Sequence, residues 1–351
     1  MKSIFFCVVL FLLGLNVQAQ TTDFLTGLND PQDMLLDGNI LYVAESDSNR
    51  IIKVDLSESN PSPEVVVSGL PVLRGLALNG TELYFSQLNG QNKISKIDLL
   101  DPGASPTLVL ENFTSAQDLL FYENELYIAQ FGTGRIVKID PSIANPTIID
   151  VVTNINTPIA MEVAGDQLYV ATWTDNSIKR IDLTNPSPSA TTILSNLSLP
   201  VGLNFRGEEL FIAEAGQSIG QDRISKINLA DVSPTRETVV NGLYNPTKGL
   251  ETYNNVLYIA ENFKISSFEL PSLSVDEFSQ VDIAVFPNPT SDFITITGIV
   301  NPVRYSIYSL SGVLSLDGVI TNRDTINLKN MASGTYFLVL NEKKSIKILK
   351  I

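Results

Sequence analysis

Hydrophobic positions along this chain fall into short runs of strand length, separated by Gly, Asn, Asp, Ser and Pro, and no stretch longer than a turn shows a helical period. One run recurs. Leu41-Tyr42-Val43-Ala44-Glu45 returns as Leu83-Tyr84-Phe85-Ser86-Gln87, Leu126-Tyr127-Ile128-Ala129-Gln130, Leu168-Tyr169-Val170-Ala171-Thr172, Leu210-Phe211-Ile212-Ala213-Glu214 and Leu257-Tyr258-Ile259-Ala260-Glu261. Its continuous apolar character predicts a strand covered on both faces. The run before it, Asp33-Met34-Leu35-Leu36 in the first repeat, is echoed by Gly75-Leu76-Ala77-Leu78, Asp118-Leu119-Leu120-Phe121 and Gly202-Leu203-Asn204-Phe205. The polar pairs Asp37-Gly38, Asn79-Gly80, Glu123-Asn124, Gly165-Asp166, Gly207-Glu208 and Asn254-Asn255 join the two runs and predict tight hairpins. A third run alternates, as Ile51-Ile52-Lys53-Val54-Asp55 and Ile94-Ser95-Lys96-Ile97-Asp98 do, so one of its faces meets water. A Pro-rich connection such as Asn60-Pro61-Ser62-Pro63 leads to a fourth run, Glu64-Val65-Val66-Val67.

Successive leucines of the recurring run lie 42, 43, 42, 42 and 47 residues apart. Four strands per unit at that period predict an all-β fold, a six-bladed β-propeller over residues 22–272 with one repeat per blade. After Phe268-Glu269-Leu270 the sixth repeat has no good fourth strand. The N-terminal Phe24-Leu25-Thr26-Gly27-Leu28 matches Val66-Val67-Ser68-Gly69-Leu70 and Val239-Val240-Asn241-Gly242-Leu243, so it is expected to pair with the sixth repeat and close the ring. With these phrases the repeats resemble the six-bladed propellers of the NHL and lactonase-like group, a resemblance that specifies fold and not activity.

The two ends read differently. Residues 1–19 have the form of a signal peptide, with Lys2, an apolar run over 4–15 and the small-residue site Val17-Gln18-Ala19. That run is too short to span a bilayer comfortably, and no later run is long enough. A linker is expected over 273–284. From 285 to 351 the repeat gives way to apolar runs broken by Gly and Asn, which predict a small β-sandwich. Val285-Phe286-Pro287-Asn288-Pro289, Tyr308-Ser309-Leu310-Ser311-Gly312 and Ser333-Gly334-Thr335-Tyr336-Phe337-Leu338 precede a basic end. In this order they resemble the type A C-terminal sorting domain of the type IX secretion system, with Pro287, Asn288, Pro289, Gly312, Gly334 and Tyr336 as the sorting motif. The resemblance implies the type IX machinery as a partner, export past the outer membrane, and a secreted or surface-attached product.

Composition narrows the chemistry. The only cysteine, Cys7, lies in the leader, and there is no histidine, which excludes a Ser-His-Asp triad, a histidine base and a His-ligated zinc. The net charge is −15; the leader carries +1 and the stretch from Gln280 onward +2, leaving −18 on the repeats. So acidic a body repels phosphate backbones and argues against a nucleic-acid partner.

Candidate sites follow from the meander. Loops before the first strand and after the second share one face, which gathers Gln32, Asp33, Arg74, Gln117, Asp118 and Lys248 with the strand-ending Glu45, Gln87, Gln130, Thr172, Glu214 and Glu261. The single tryptophan, Trp173, belongs there too, with Phe131 and Phe263 at equivalent positions, and the fifth repeat adds an insertion over 216–222. For a glycan, peptide or protein ligand the expected contacts are Asp33, Arg74, Asp118, Gln87, Gln130, Trp173 and Lys248. For a calcium ion they are Glu45, Glu214 and Glu261, which with Asp33 are the candidate groups of a metal-dependent hydrolase or lyase of the lactonase-like type. The metal-binding phrases that characterise lactonases are missing, and binding is the favoured reading.

Overall fold

The computed structural model describes residues 21–271 apart from 91, 102, 104, 113, 217–220 and 232, and residues 283–351 apart from 299–302, 311–312 and 341–343. The expected signal peptide, residues 273–282 of the expected linker, and Gly312 lie outside the described residues. The chain divides into two compact units between Leu270 and Pro271.

The first unit contains six four-stranded antiparallel sheets, each a meander. Five are consecutive in sequence; blade one, for example, runs Pro31–Asp37, Ile40–Glu45, Arg50–Asp55, Glu64–Ser68. The sixth combines Pro246–Tyr253, Val256–Glu261 and Lys264–Glu269 with the N-terminal strand Thr22–Thr26. That strand pairs Thr22 with Ser267 and Thr26 with Lys264, with a bulge between Asp23 and Leu25. The ring is closed as its sequence requires.

Hydrophobic burial explains why the blades stack. Leu41, Val43 and Ala44 of the second strand are fully buried, as are their counterparts Leu126, Ile128 and Ala129 in blade three. Side chains alternate across a strand, so neither face of such a strand tolerates water. Six apolar clusters result, each shared by two adjacent blades, and the one at the closure joins Leu28, Met34, Leu41 and Val43 to Tyr258 and Ile265. At about 1.5–3 kcal/mol per buried Leu, Ile or Val, these clusters dominate the stability of the ring.

Two turn types repeat. The aspartate that ends the third strand accepts bonds from the residue two further on, as Asp55 Oδ1 does from Ser57 N at 2.8 Å and Asp140 Oδ1 from Ser142 N at 3.0 Å. The hairpins joining first and second strands are two-residue loops, but in blades one and two they are Gly38–Asn39 and Gly80–Thr81, one residue later than expected from Asp37-Gly38 and Asn79-Gly80. Glycine there occupies the first central position, at φ 59° and 60°, where a positive φ excludes most side chains.

The second unit is a sandwich. A three-stranded sheet (Ala284–Phe286, Phe293–Thr297, Thr325–Asn327) accompanies a four-stranded one ordered Leu314–Ile320, Val303–Ser309, Gly334–Leu340, Lys344–Lys350. Ile294, Ile296, Ile307, Leu338 and Ile348 fill the space between them. Asn288 of the sorting motif ties down the final strand, its Nδ2 donating to Lys347 O at 2.8 Å and its Oδ1 accepting from Leu349 N at 2.9 Å. Tyr336 donates its hydroxyl to Ala332 O.

Candidate functional site

Every blade enters its inner strand in the same unusual way. The residue just before the strand is left-handed: Asp30 (φ 53°), Val72 (56°), Ser115 (42°), Thr157 (45°), Leu199 (51°) and Asn245 (49°). Strand pairing then skips immediately after the first residue, between Pro31 and Asp33 in blade one and at the matching place in the other five. A bulge frees a side chain from the ladder and re-aims it. The freed residues Gln32, Arg74, Gln117, Ile159, Val201 and, from a longer bulge in blade six, Lys248 wall a cavity of about 260 Å³ together with Trp173 and Asn245. Each blade contributes one re-aimed side chain to this crown.

The loops around the crown are braced by backbone bonds. Trp173 N donates to Thr157 O at 3.1 Å, Leu88 N to Val72 O at 3.0 Å and Ala215 N to Leu199 O at 3.0 Å. Left-handed valine, threonine and leucine cost on the order of 1–3 kcal/mol each, a strain that surrounding structure must over-determine. The indole of Trp173 is 36% exposed and leans on Phe131, with ring centroids 5.5 Å apart.

One residue further along the inner strands a second, axial cavity of about 350 Å³ begins, sharing Lys248 with the first. Lys248 Nζ lies 2.5 Å from Asp33 Oδ2 and 2.6 Å from Asp118 Oδ1. Both acids also clasp the next blade, Asp33 Oδ2 accepting from Leu76 N at 2.7 Å and Asp118 Oδ2 from Met161 N at 2.6 Å. The inner strands approach closely here: a Cβ on Gly202 would sit 2.5 Å from Lys248 O, so position Gly202 admits no side chain. Burial alone would lower the Lys248 pKa, but Asp118 and Asp33 outweigh it and the net shift is upward.

Beyond this triad the cavity holds Glu162 and Glu251, with Asn204 Nδ2 donating to Glu251 Oε2 at 3.2 Å. Burial, reinforced by the Asp118 charge, pushes Glu162 up to about 8. Burial and then Glu162 itself drive Glu251 well above the carboxylate range. Burial likewise raises Asp33 to about 7, against the pull of Lys248. These groups keep protons in the folded protein that the unfolded chain releases near pH 4.5 for the glutamates and 3.8 for Asp33. Their contribution to stability is therefore complete below those values and is lost as pH rises toward 8. For Glu162 the full shift corresponds to about 5 kcal/mol, and screening within an open polar cavity reduces the expected loss to on the order of 2 kcal/mol. Glu162→Gln should flatten the decline in urea stability between pH 5.5 and 8.5, followed by the fluorescence of Trp173, the only tryptophan. Equal slopes for the two proteins would refute the assignment.

The structure brings together some expected contacts and separates others. Arg74, Trp173 and Lys248 line the crown, and Asp33 and Asp118 lie just below. The expected ring of Glu45, Gln87, Gln130, Thr172, Glu214 and Glu261 around the axis does not form, because all six side chains are buried within their own blades. Each holds the loop or strand beside it. Glu45 accepts from Asn29 N and, at 2.5 Å, from Arg50 Nε; Gln87 Nε2 donates to Pro71 O; Gln130 accepts from Arg135; Thr172 bonds Ser177. Glu214 bonds Arg223, Arg236, Ser225 and Ser198 N, and although burial alone would raise its pKa, Arg223 and the other donors bring it below the usual value. Glu261 accepts from Tyr244 N and Ser266. Among the described residues, no three His, Cys, Asp or Glu side chains are grouped so as to hold a metal ion, so Glu45, Glu214 and Glu261 do not converge as calcium ligands.

Glu162, Glu251 and Asn204 are what sequence reasoning passed over. They occupy the position of Leu35, Ala77 and Leu120 in the other inner strands, pairing with Tyr169, Tyr258 and Phe211 of the second strand. An acid within an otherwise apolar run was the available signal.

Residues 284–351 match the model of the secretion system C-terminal sorting domain family. No curated protein matches the chain. Among solved structures it is similar to the PQQ-bound aldose sugar dehydrogenase of Streptomyces coelicolor, with a TM-score of 0.56 and 14% identity over 72% of this chain and 98% of that one. It is also similar to a chain of the nidogen/laminin complex, with a TM-score of 0.53 and 17% identity over 63% of this chain and 84% of that one. At such identity the likeness establishes the fold alone. With the ring of blades and the tail now both described, the chain is a β-propeller that carries a secretion system C-terminal sorting domain, the export tail of the type IX pathway.

Proposed function

We propose that the exported propeller is a binding protein whose crown cavity takes a small sugar-type ligand or the end of a longer glycan, and that it acts at the outer cell surface once its tail has directed export. The observation that carries this reading is the crown itself: one re-aimed side chain per blade around about 260 Å³, with a partly exposed indole on its wall. That volume lies just below the roughly 300–1,000 Å³ of sites for drug-sized ligands, so a single ring fits better than a large substrate. Trp173 offers the flat apolar face on which a sugar ring stacks, and Gln32, Gln117 and Asn245 supply donors and acceptors for hydroxyls. Backbone bonds brace the surrounding loops, which reduces the ordering cost of binding.

The metal-dependent hydrolase reading loses support, since its three glutamates are committed to separate loops. A glycan array probed with the wild-type chain and with Trp173→Ala tests the proposal. Loss of the stacking face should weaken bound glycans about tenfold. Identical profiles for the two proteins would remove the crown as the site.

A further inference from the structure

The crown carries two cations on a strongly negative body. Among the described residues, the only charged side chains on its wall are Arg74 and Lys248. Their situations differ. Lys248 is 9% exposed and already neutralised by Asp33 and Asp118. Arg74 makes no ion pair among the described residues; its Nη1 donates only to neutral oxygens, Ser46 Oγ at 3.2 Å and Leu73 O at 2.9 Å. Asp30 and Asp47 act on Arg74 only at longer range, and Asp30 already accepts from Gln32 Nε2 at 2.6 Å. A guanidinium carries five donors in a planar fork, so most of its capacity is unspent.

A half-buried cation with no carboxylate in direct contact is costly unless a ligand completes it. Its position follows from local structure. Left-handed Val72 and the bulge after Leu73 lift Arg74 out of the ladder, and a loop bond from Leu88 N to Val72 O holds that conformation. The same wall presents Trp173 and the amides of Gln32 and Gln117.

Resting on the binding reading above, we infer that the ligand is anionic, a uronate-type sugar whose carboxylate is taken by Arg74 while its ring faces Trp173. Planar carboxylate recognition by a guanidinium fork supplies both charge and geometry, whereas a neutral sugar would leave the cation unanswered. The net charge of −15 sharpens the point, because a protein surface of that sign otherwise repels such a ligand.

The experiment measures binding of the purified full chain to galacturonate and glucuronate oligosaccharides, their methyl esters and the neutral parent sugars, at low salt and at physiological salt. The acids should bind about tenfold or more tighter than their esters, with a preference that shrinks as salt rises. Arg74→Gln should abolish the preference, so that acid and ester bind alike, and Arg74→Lys should restore part of it. Thermal melts of both variants verify that they are folded. Equal affinity for acid and ester, or an acid preference that survives Arg74→Gln, overturns the inference; if Trp173→Ala still abolishes binding in that case, the sugar site itself stands. Absence of binding by any sugar overturns both readings. Arg74-dependent capture of poly-L-glutamate in preference to uronates overturns the sugar assignment.

Discussion

Lys248→Met should lower the melting temperature of the propeller by about 10 °C at pH 7.5. The side chain is a single cation between two carboxylates, 2.5 Å from Asp33 Oδ2 and 2.6 Å from Asp118 Oδ1. Both acids are buried and both bond the backbone of the following blade, at Leu76 N and Met161 N, so neither can swing into water without opening a blade interface. Removing one partner of a buried ion pair costs about 3–5 kcal/mol, chiefly because the uncompensated charge remains behind. In a unit of this size each kcal/mol moves the midpoint by about 2–4 °C. The deficit should shrink on acidification, since Asp33, which burial already raises to about 7, takes up a proton, and a melt at pH 5 should bring the variant closer to wild type. A triple variant with Asp33→Asn and Asp118→Asn, which keeps an acceptor for each backbone clasp, should recover most of the loss at pH 7.5. A single variant melting within about 2 °C of wild type would show that the triad is not a closed electrostatic unit.

Deleting residues 21–28 should be still more damaging. The segment supplies the outermost strand of blade six, packs Phe24 edge-on against Tyr258 at 4.8 Å, and inserts Leu28, which is 3% exposed. Loss of Leu28 alone is worth about 2–5 kcal/mol, judged from core truncations of that kind. The deletion also leaves Lys264–Glu269 as an unpaired edge, a template for pairing with another copy. Size-exclusion chromatography of the truncated chain should show oligomers or aggregate, with Trp173 fluorescence unfolding at markedly lower urea, and an added peptide of residues 21–30 should restore the monomer. A soluble monomer of undiminished stability would mean that blade six holds without its fourth strand.

The ring and its closure were legible because burial on both faces forces the same apolar phrase into every second strand, and because Val66-Val67-Ser68-Gly69-Leu70 and Phe24-Leu25-Thr26-Gly27-Leu28 are written alike. The sorting tail was legible for a similar reason: its motif does structural work, with Asn288 fastening the last strand. That Arg74, Trp173 and Lys248 share one cavity follows from their place before the first strand or after the second. The six strand-ending residues were misread by the same rule. Glu45 and Arg74 both sit near the crown in sequence terms, yet only the bulge decides which of them leaves the ladder.

What the chain's own order of residues determined, then, is periodicity, strand type, closure and export, all of which depend on local pattern and recur blade after blade. What tertiary structure alone decided is the direction of individual side chains at the axis and the company they keep. Lys248 meets Asp118 across a separation of 130 residues, and Glu251 meets Asn204 across 47. A repeat pattern reports what the blades share, whereas a site on the symmetry axis is built from the positions at which they differ, and those differences acquire meaning only when six strands converge on one line.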